Sequence, residues 1–359
     1  MHLAAPMLVA LALLAAPAAG ALGPEDTATD DRLANEALRA LLATPLGQAL
    51  PRLPWKVDLI ESWQVNAYSN GRGRIAMTRG LAGVLGGHEG VWAAAIAHEL
   101  AHGIMLYPAY QPQFEAELRK IYLASGFSPS DPAAQLALRV APAAGGMFNL
   151  KGDRRTEFEA DRLGVLMMAE AGFHPDFALA LDRLMRSAVG DQTKYSEFML
   201  SHPRWANREQ ETEKTEGVAL AIFNHAWPDA ARSPGGQAPP LGHIQSVTVS
   251  RDAQGNALLL RVRFELKNAG ARPARIAAVL LARNRKVRAA RAEYRAPDGS
   301  LALNAPLTGL DRGQTEATLR IPYDAFESNR KKLVVALFLA AGDWADDLWF
   351  QPVKLPRRP

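Results

Sequence analysis

The sequence predicts an α+β protein in two parts, a mostly helical part with a small antiparallel sheet and then an all-β, sandwich-like part. Three observations carry this expectation. From residue 80 to 235, apolar residues recur at the three-to-four-residue spacing of helices. A stretch rich in Pro and Gly follows at 229–241. Beyond it the period switches to two: Leu258, Leu260, Val262, Phe264 and Leu266 alternate with Leu259, Arg261, Arg263, Glu265 and Lys267, as in a strand with one wet face.

The chain of 359 residues is long enough for about two domains. A hydrophobic content of 48% with 22% charge excludes global disorder. The absence of cysteine excludes a disulfide framework, a thiolate metal site and cysteine catalysis, so any metal falls to His, Asp or Glu. The net charge of +4 is divided unevenly. Residues 241–359 hold 20 basic and 11 acidic side chains, and the remainder holds 21 and 26. Two parts of opposite sign fit two domains, and neither demands nucleic acid.

In chain order, Leu8 to Ala16 is an apolar run followed by Ala19-Gly20-Ala21, an A-x-A-like cleavage site. Residues 1–21 therefore read as a signal peptide, with an uncleaved membrane anchor as the alternative, and place the protein in the periplasm or outside the cell. The core domain is expected over 22–228, the linker over 229–241 and the β-domain over 242–359. Leu33, Leu38, Leu41 and Leu42 mark a first helix, stopped by Pro51 and Pro54. Val57, Leu59, Trp63 and Val65, the turn Ser69-Asn70-Gly71 and the return Arg74–Thr78 read as a small antiparallel sheet. Helices are then expected over Val91–Ile104, Phe114–Ala124, Pro132–Val140, Thr156–Ala171, Pro175–Ala188 and Pro203–Phe223, with Gly172 closing the fourth. In the β-domain, strands are expected near 244–251, 258–266, 275–282, 287–295, 315–321, 332–340 and 347–353.

The chemistry centres on His98-Glu99-Leu100-Ala101-His102. On a helix, residues i and i+4 share a face, so both imidazoles can reach one metal ion. Glu99 is then placed to take the proton of a metal-activated water. Composition alone produces such a match about 0.7% of the time, before helical context is required. A third ligand is expected from Glu157-Phe158-Glu159-Ala160-Asp161. Glu157 and Asp161 are again i and i+4. Glu157 is the favoured ligand and Asp161 the acceptor for the other N–H of a liganding His; Glu159 is the alternative ligand, or else a partner of Arg155 or Arg162.

These two motifs resemble those of the zinc metallopeptidase family that includes HtpX, BepA and the CAAX prenyl endopeptidases. Further matches are Val65-Asn66-Ala67-Tyr68, Thr78-Arg79-Gly80-Leu81, Arg162-Leu163-Gly164, Ala171-Gly172-Phe173-His174-Pro175, and Ser201-His202-Pro203 with Arg208. The resemblance covers about 35–230 and implies a compact, mostly helical gluzincin core with a small sheet. It implies one zinc per chain on His98, His102 and Glu157. It places His202 near the metal, stabilising the reacting carbonyl or capping the zinc; the plainer reading is a cap on the helix that begins at Pro203. Arg208 is expected to help hold the oxyanion. Asn66 and Ala67 are expected to bind an extended substrate by β-addition. His88, His174, His225 and His243 lack partner spacing and read as surface or packing residues.

The strongly apolar spans of the HtpX type and the tetratricopeptide domain of the BepA type have no counterpart in the sequence, which therefore resembles a soluble periplasmic branch. The basic run Arg283, Arg285, Lys286, Arg288, Arg291 and Arg295 reads first as a solvated face. Its functional reading is contact with an envelope protein partner or an anionic membrane surface. Without interleaved aromatics it does not fit single-stranded nucleic acid. The expected function is a periplasmic or secreted zinc endopeptidase acting on protein or peptide substrates in envelope protein quality control. The rival is a zinc-stabilised chaperone or adaptor with regulated or little proteolysis.

Overall fold

A computed structural model describes residues 24–128, 140, 154–189, 205–229, 234–252, 254, 256–282, 285–296, 299–310, 315–325, 332–342 and 344–354. The expected signal peptide, His202 and, apart from Val140, the helix expected over 132–140 lie outside the described residues. The chain divides into two compact units, with the boundary in sequence between Pro239 and Pro240. Among the described residues, no helix is long and apolar enough to cross a membrane.

The first unit is α+β. Helix α1 (Pro24–Ala43) and the short α2 (Pro45–Gln48) precede strand β1 (Lys56–Ile60). Strands β2 (Ala67–Ser69) and β3 (Arg74–Thr78) complete a small sheet of order β1-β3-β2. The sequence predicts an antiparallel sheet here. β2 does pair antiparallel with β3, but β1 pairs parallel with it, Lys56 opposite Arg74 and Ile60 opposite Thr78. The correction has a topological reason: β3 returns between β1 and β2, with β2 lying in the connection, so only the β2–β3 pair is a hairpin.

Helices α3 (Arg79–Leu85), α4 (Glu89–Leu106), α5 (Gln111–Ala124), α6 (Arg154–Glu170), α7 (Asp176–Val189) and α8 (Trp205–Ala226) follow. Thr78 joins sheet to helix: its side chain accepts the Leu81 N–H as the α3 N-cap and also accepts the Asn66 N–H at 3.1 Å. Every residue of α4 from Gly90 to Met105 is buried, as an alanine-rich helix with no wet face requires. Gly172, at φ +87°, takes the left-handed position after α6 that the sequence assigned to it.

The second unit is all antiparallel β. Strands β4 (Leu241–Arg251), β5 (Ala257–Lys267) and β9 (Glu316–Pro322) form one sheet. Strands β6 (Ala274–Ala282), β7 (Arg285–Lys286), β8 (Ala302–Leu307), β10 (Lys332–Ala341) and β11 (Trp344–Lys354) form the other. Leu258, Leu260, Val262 and Phe264 of one sheet share an apolar core with Ile276, Leu280, Val335, Leu337 and Leu339 of the other. Two local expectations fail. The strand expected over 287–295 is a 3-10 turn at Ala292–Tyr294 flanked by isolated bridges at Arg288 and Arg295, and β8 was not anticipated. Val287 and Ala289 are buried while Ala290 to Glu293 are exposed, so the alternation runs only a few residues before the chain turns.

Candidate active site

The site is built where α4 crosses α6. A Cβ at Gly164 would lie 3.0 Å from the His98 backbone nitrogen and 3.2 Å from its Cα. Only glycine lets α6 approach α4 this closely, and the approach delivers Glu157, two turns earlier on α6, to the histidine pair. His98, Glu99, His102 and Glu157 are all buried, at 7%, 2%, 5% and 1% exposure.

The Nε2 atoms of His98 and His102 are 3.1 Å apart, with the rings edge to face. Glu157 brings Oε2 to 3.5 Å from Nε2 of His98 and Oε1 to 3.5 Å from Nε2 of His102. Donor atoms of the three residues all lie within 4.8 Å of one another, and among the described residues this is the group that could hold a metal ion. For ligand bonds of about 2.0–2.1 Å, tetrahedral geometry puts neighbouring donors about 3.3 Å apart. The observed spacings fit that requirement, and an all-N/O donor set with one carboxylate suits zinc chemistry.

Asp161 Oδ1 lies 2.8 Å from Nδ1 of His98, which turns Nε2 toward the metal position. Arg208, 3% exposed, donates from Nε to Asp161 Oδ2 at 2.7 Å and from Nη2 to Asp161 Oδ1. Nη2 also lies 3.8 Å from Oδ1 of Asp182. Burial disfavours the charged form of His98, but hydrogen bonds to Asp161 and Glu157 outweigh it and push the imidazole up to about 10. Burial works against the Asp161 carboxylate, yet Arg208 and His98 hold it below its ordinary range. Burial likewise works against the Arg208 charge, and Asp161 and Asp182 more than restore it.

The sequence expectations can be placed residue by residue. His98, Glu99 and His102 share α4, and Glu157 and Asp161 share the α6 face that meets it. Glu159 is instead paired with Arg162, whose Nε and Nη2 lie 3.0 and 2.6 Å from its carboxylate. Arg208 was expected at the oxyanion, but Nε and Nη2 are directed to Asp161, so its place is behind the His98 ring. Asp182 was not singled out in the sequence, where no motif or spacing marks it.

Asn66 and Ala67 lie at β2, the edge of the small sheet. The Thr78 N–H donates to the Asn66 carbonyl and the Asn70 N–H to the Arg74 carbonyl, each at 3.0 Å. Antiparallel alternation then turns the N–H and C=O of Ala67 away from β3, toward the edge. The Asn66 Oδ1 is buried with no hydrogen-bond partner. In the basic run, Arg291 is committed locally: it pairs with Glu293, reaches Asp324 at 3.2 Å and sits 5.7 Å over the Tyr294 ring.

A buried helix bearing His-Glu-x-x-His, met by a glutamate from a crossing helix at metal-ligand spacing, is the arrangement of a three-ligand metal site of the metallopeptidase type. The sequence pattern of peptidase family M48 matches residues 28–216, more than half of the chain, and the chain belongs to that family. It is similar to the mitochondrial metalloendopeptidase OMA1 of Schizosaccharomyces pombe, with 28% identity over 182 residues, 49% of this chain and 52% of that protein. It is similar to the protease HtpX homolog of Ralstonia pickettii, with 31% identity over 163 residues, 42% of this chain and 54% of that protein. The protease HtpX homolog of Burkholderia thailandensis shows 32% identity over 165 residues, 42% of this chain and 55% of that protein. The chain spans about half the length of the curated relatives it matches. The family resemblance read from the sequence motifs is thereby borne out.

Proposed function

We propose that this chain is a zinc-dependent endopeptidase of the soluble periplasmic branch of its family, exported by residues 1–21 and acting on protein substrates in envelope quality control. The observation that carries the reading is the buried convergence of His98, His102 and Glu157, with Glu99 between the two histidines in sequence. Zinc held by those three residues supplies Lewis acidity toward a peptide carbonyl and lowers the pKa of water for attack. Glu99 takes the proton of the attacking water and passes it to the leaving amine nitrogen. Asp161 fixes the tautomer and ring orientation of His98, and Arg208 fixes Asp161. His202 supports the carbonyl oxygen or caps the metal at rest.

Substrate is taken in extended form along β2. The outward N–H and C=O of Ala67 offer a strand-like hydrogen-bond pair. The second unit, read as a sandwich of its two sheets, recruits the substrate, an envelope protein partner or an anionic membrane surface through its basic side chains. Casein hydrolysis by the wild type, lost in Glu99→Gln with zinc content unchanged, is the expected result. Zinc binding without hydrolysis in the wild type would leave the chaperone or adaptor role in its place.

A further inference from the structure

Arg208 grips Asp161 through Nε and Nη2. The same Nη2 lies 3.8 Å from Oδ1 of Asp182 on α7, whose Oδ2 accepts from the Thr212 hydroxyl at 3.3 Å. Asp182, Arg208 and Thr212 are 5%, 3% and 2% exposed. A carboxylate this deeply buried persists only where its charge and lone pairs are met, and Arg208 and Thr212 contribute to meeting them.

Two carboxylates thus share one guanidinium. The more of the Arg208 charge Asp182 takes, the more negative density Asp161 keeps for the Nδ1–H of His98. A stronger acceptor at Nδ1 makes the opposite nitrogen, Nε2, a better metal donor. We infer that Asp182 is a positioning residue for the metal centre: by sharing Arg208 with Asp161 it sets how strongly Asp161 polarises His98, and through that the metal affinity. The inference rests on the reading of His98 as a ligand, and goes beyond it by extending the support of the site to α7.

The test is zinc affinity of the full chain, measured by competition with a chromophoric chelator. Asp182→Asn keeps the shape and a partner for Thr212 but removes the charge. Its zinc affinity should fall on the order of 10-fold, the lower end of the range for partners of ligating imidazoles. In an Asp161→Asn background, where the route to His98 is already cut, the same substitution should have little further effect. Thr212→Val leaves Asp182 charged and more dependent on Arg208, so it should not lower the affinity, and it provides a readout should Asp182→Asn fold poorly. Unchanged affinity in Asp182→Asn, an equal loss in both backgrounds, or a matching loss in Thr212→Val overturns the inference. A wild-type chain that takes up no zinc overturns the metal site itself, a separate outcome.

Discussion

Asp161 Oδ1 stands 2.8 Å from Nδ1 of His98, and the same carboxylate is gripped by Arg208 from α8. One side chain therefore ties the helix of the His-Glu-x-x-His motif to two others. The arrangement orients Nε2 of His98 toward His102 and Glu157 before any metal arrives. Such preorganisation matters because a ligand that must be turned into place costs binding free energy.

Asp161→Asn should lower zinc affinity by about 10- to 100-fold while leaving the fold in place. The amide can still lie against His98, but it loses its charge and its bidentate hold on Arg208. Chelator competition and a circular dichroism melt check the two halves of this expectation. Affinity equal to wild type would remove Asp161 from the metal centre.

Gly164→Ala should damage the site by pushing α6 off α4. The added Cβ meets His98 backbone at 3.0–3.2 Å, so the helices must separate or shift. Overpacking of this kind costs about 1–3 kcal/mol. Zinc affinity should fall along with the thermal midpoint, whereas Gly83→Ala, an exposed helix position with nothing within 4 Å of its added Cβ, should lower neither. A Gly164→Ala protein that melts and binds zinc as wild type does would show that the helix spacing is not what delivers Glu157.

The two pairs were legible in the sequence because each is local: one helical turn separates His98 from His102, and Glu157 from Asp161, while their meeting was expected from the resemblance of both motifs to one family. The pairing of Glu159 with Arg162 is local in the same way. What the sequence left open depends on how helices pack. Nothing in the spacing of Arg208 says that its guanidinium lies on Asp161, and Asp182 acquires a role only when α7 and α8 meet. The parallel β1–β3 pair was hidden for a similar reason, since turn signals report hairpins and not the order of strands. The misread segment 287–295 had the composition of a strand over too few residues to fix one.

Ala67→Pro should raise KM for peptide substrates on the order of 10-fold with little change in kcat. Proline removes an N–H that faces the sheet edge and takes no part in the β2–β3 ladder, a place where strands tolerate it. The loss of one strand-type hydrogen bond to substrate accounts for an effect of that size. A melt of the variant separates this from damage to the sheet, and an unchanged KM would place the substrate elsewhere.

Residues 240–359 should fold without the first unit. Among the described residues, the core that joins their two sheets runs from Ile244 to Val353. An isolated chain of this segment should give a β-type circular dichroism spectrum and a cooperative melt. A random-coil spectrum would show that the second unit depends on the first.

Zinc uptake near neutral pH should release close to one proton from His98. In the metal-free protein, burial disfavours the imidazolium, but Asp161 and Glu157 outweigh it and carry the ring from 6.5 to about 10. The ring therefore holds its proton at pH 7, and a liganding Nε2 must give it up. Calorimetric titrations in buffers of different ionisation enthalpy read the number released, which should fall toward zero as the pH passes 10. The same group sets the pH dependence of the metal-free fold. Its folded pKa lies above the unfolded value, so its stabilisation is fully present below about pH 6.5 and is lost as the pH rises toward 10. The thermal midpoint of the metal-free chain should decline across that window. With zinc bound the proton is already gone, and that decline should disappear. A flat metal-free profile together with no proton release would show that His98 is neutral before the metal binds, and that Asp161 orients the ring without charging it.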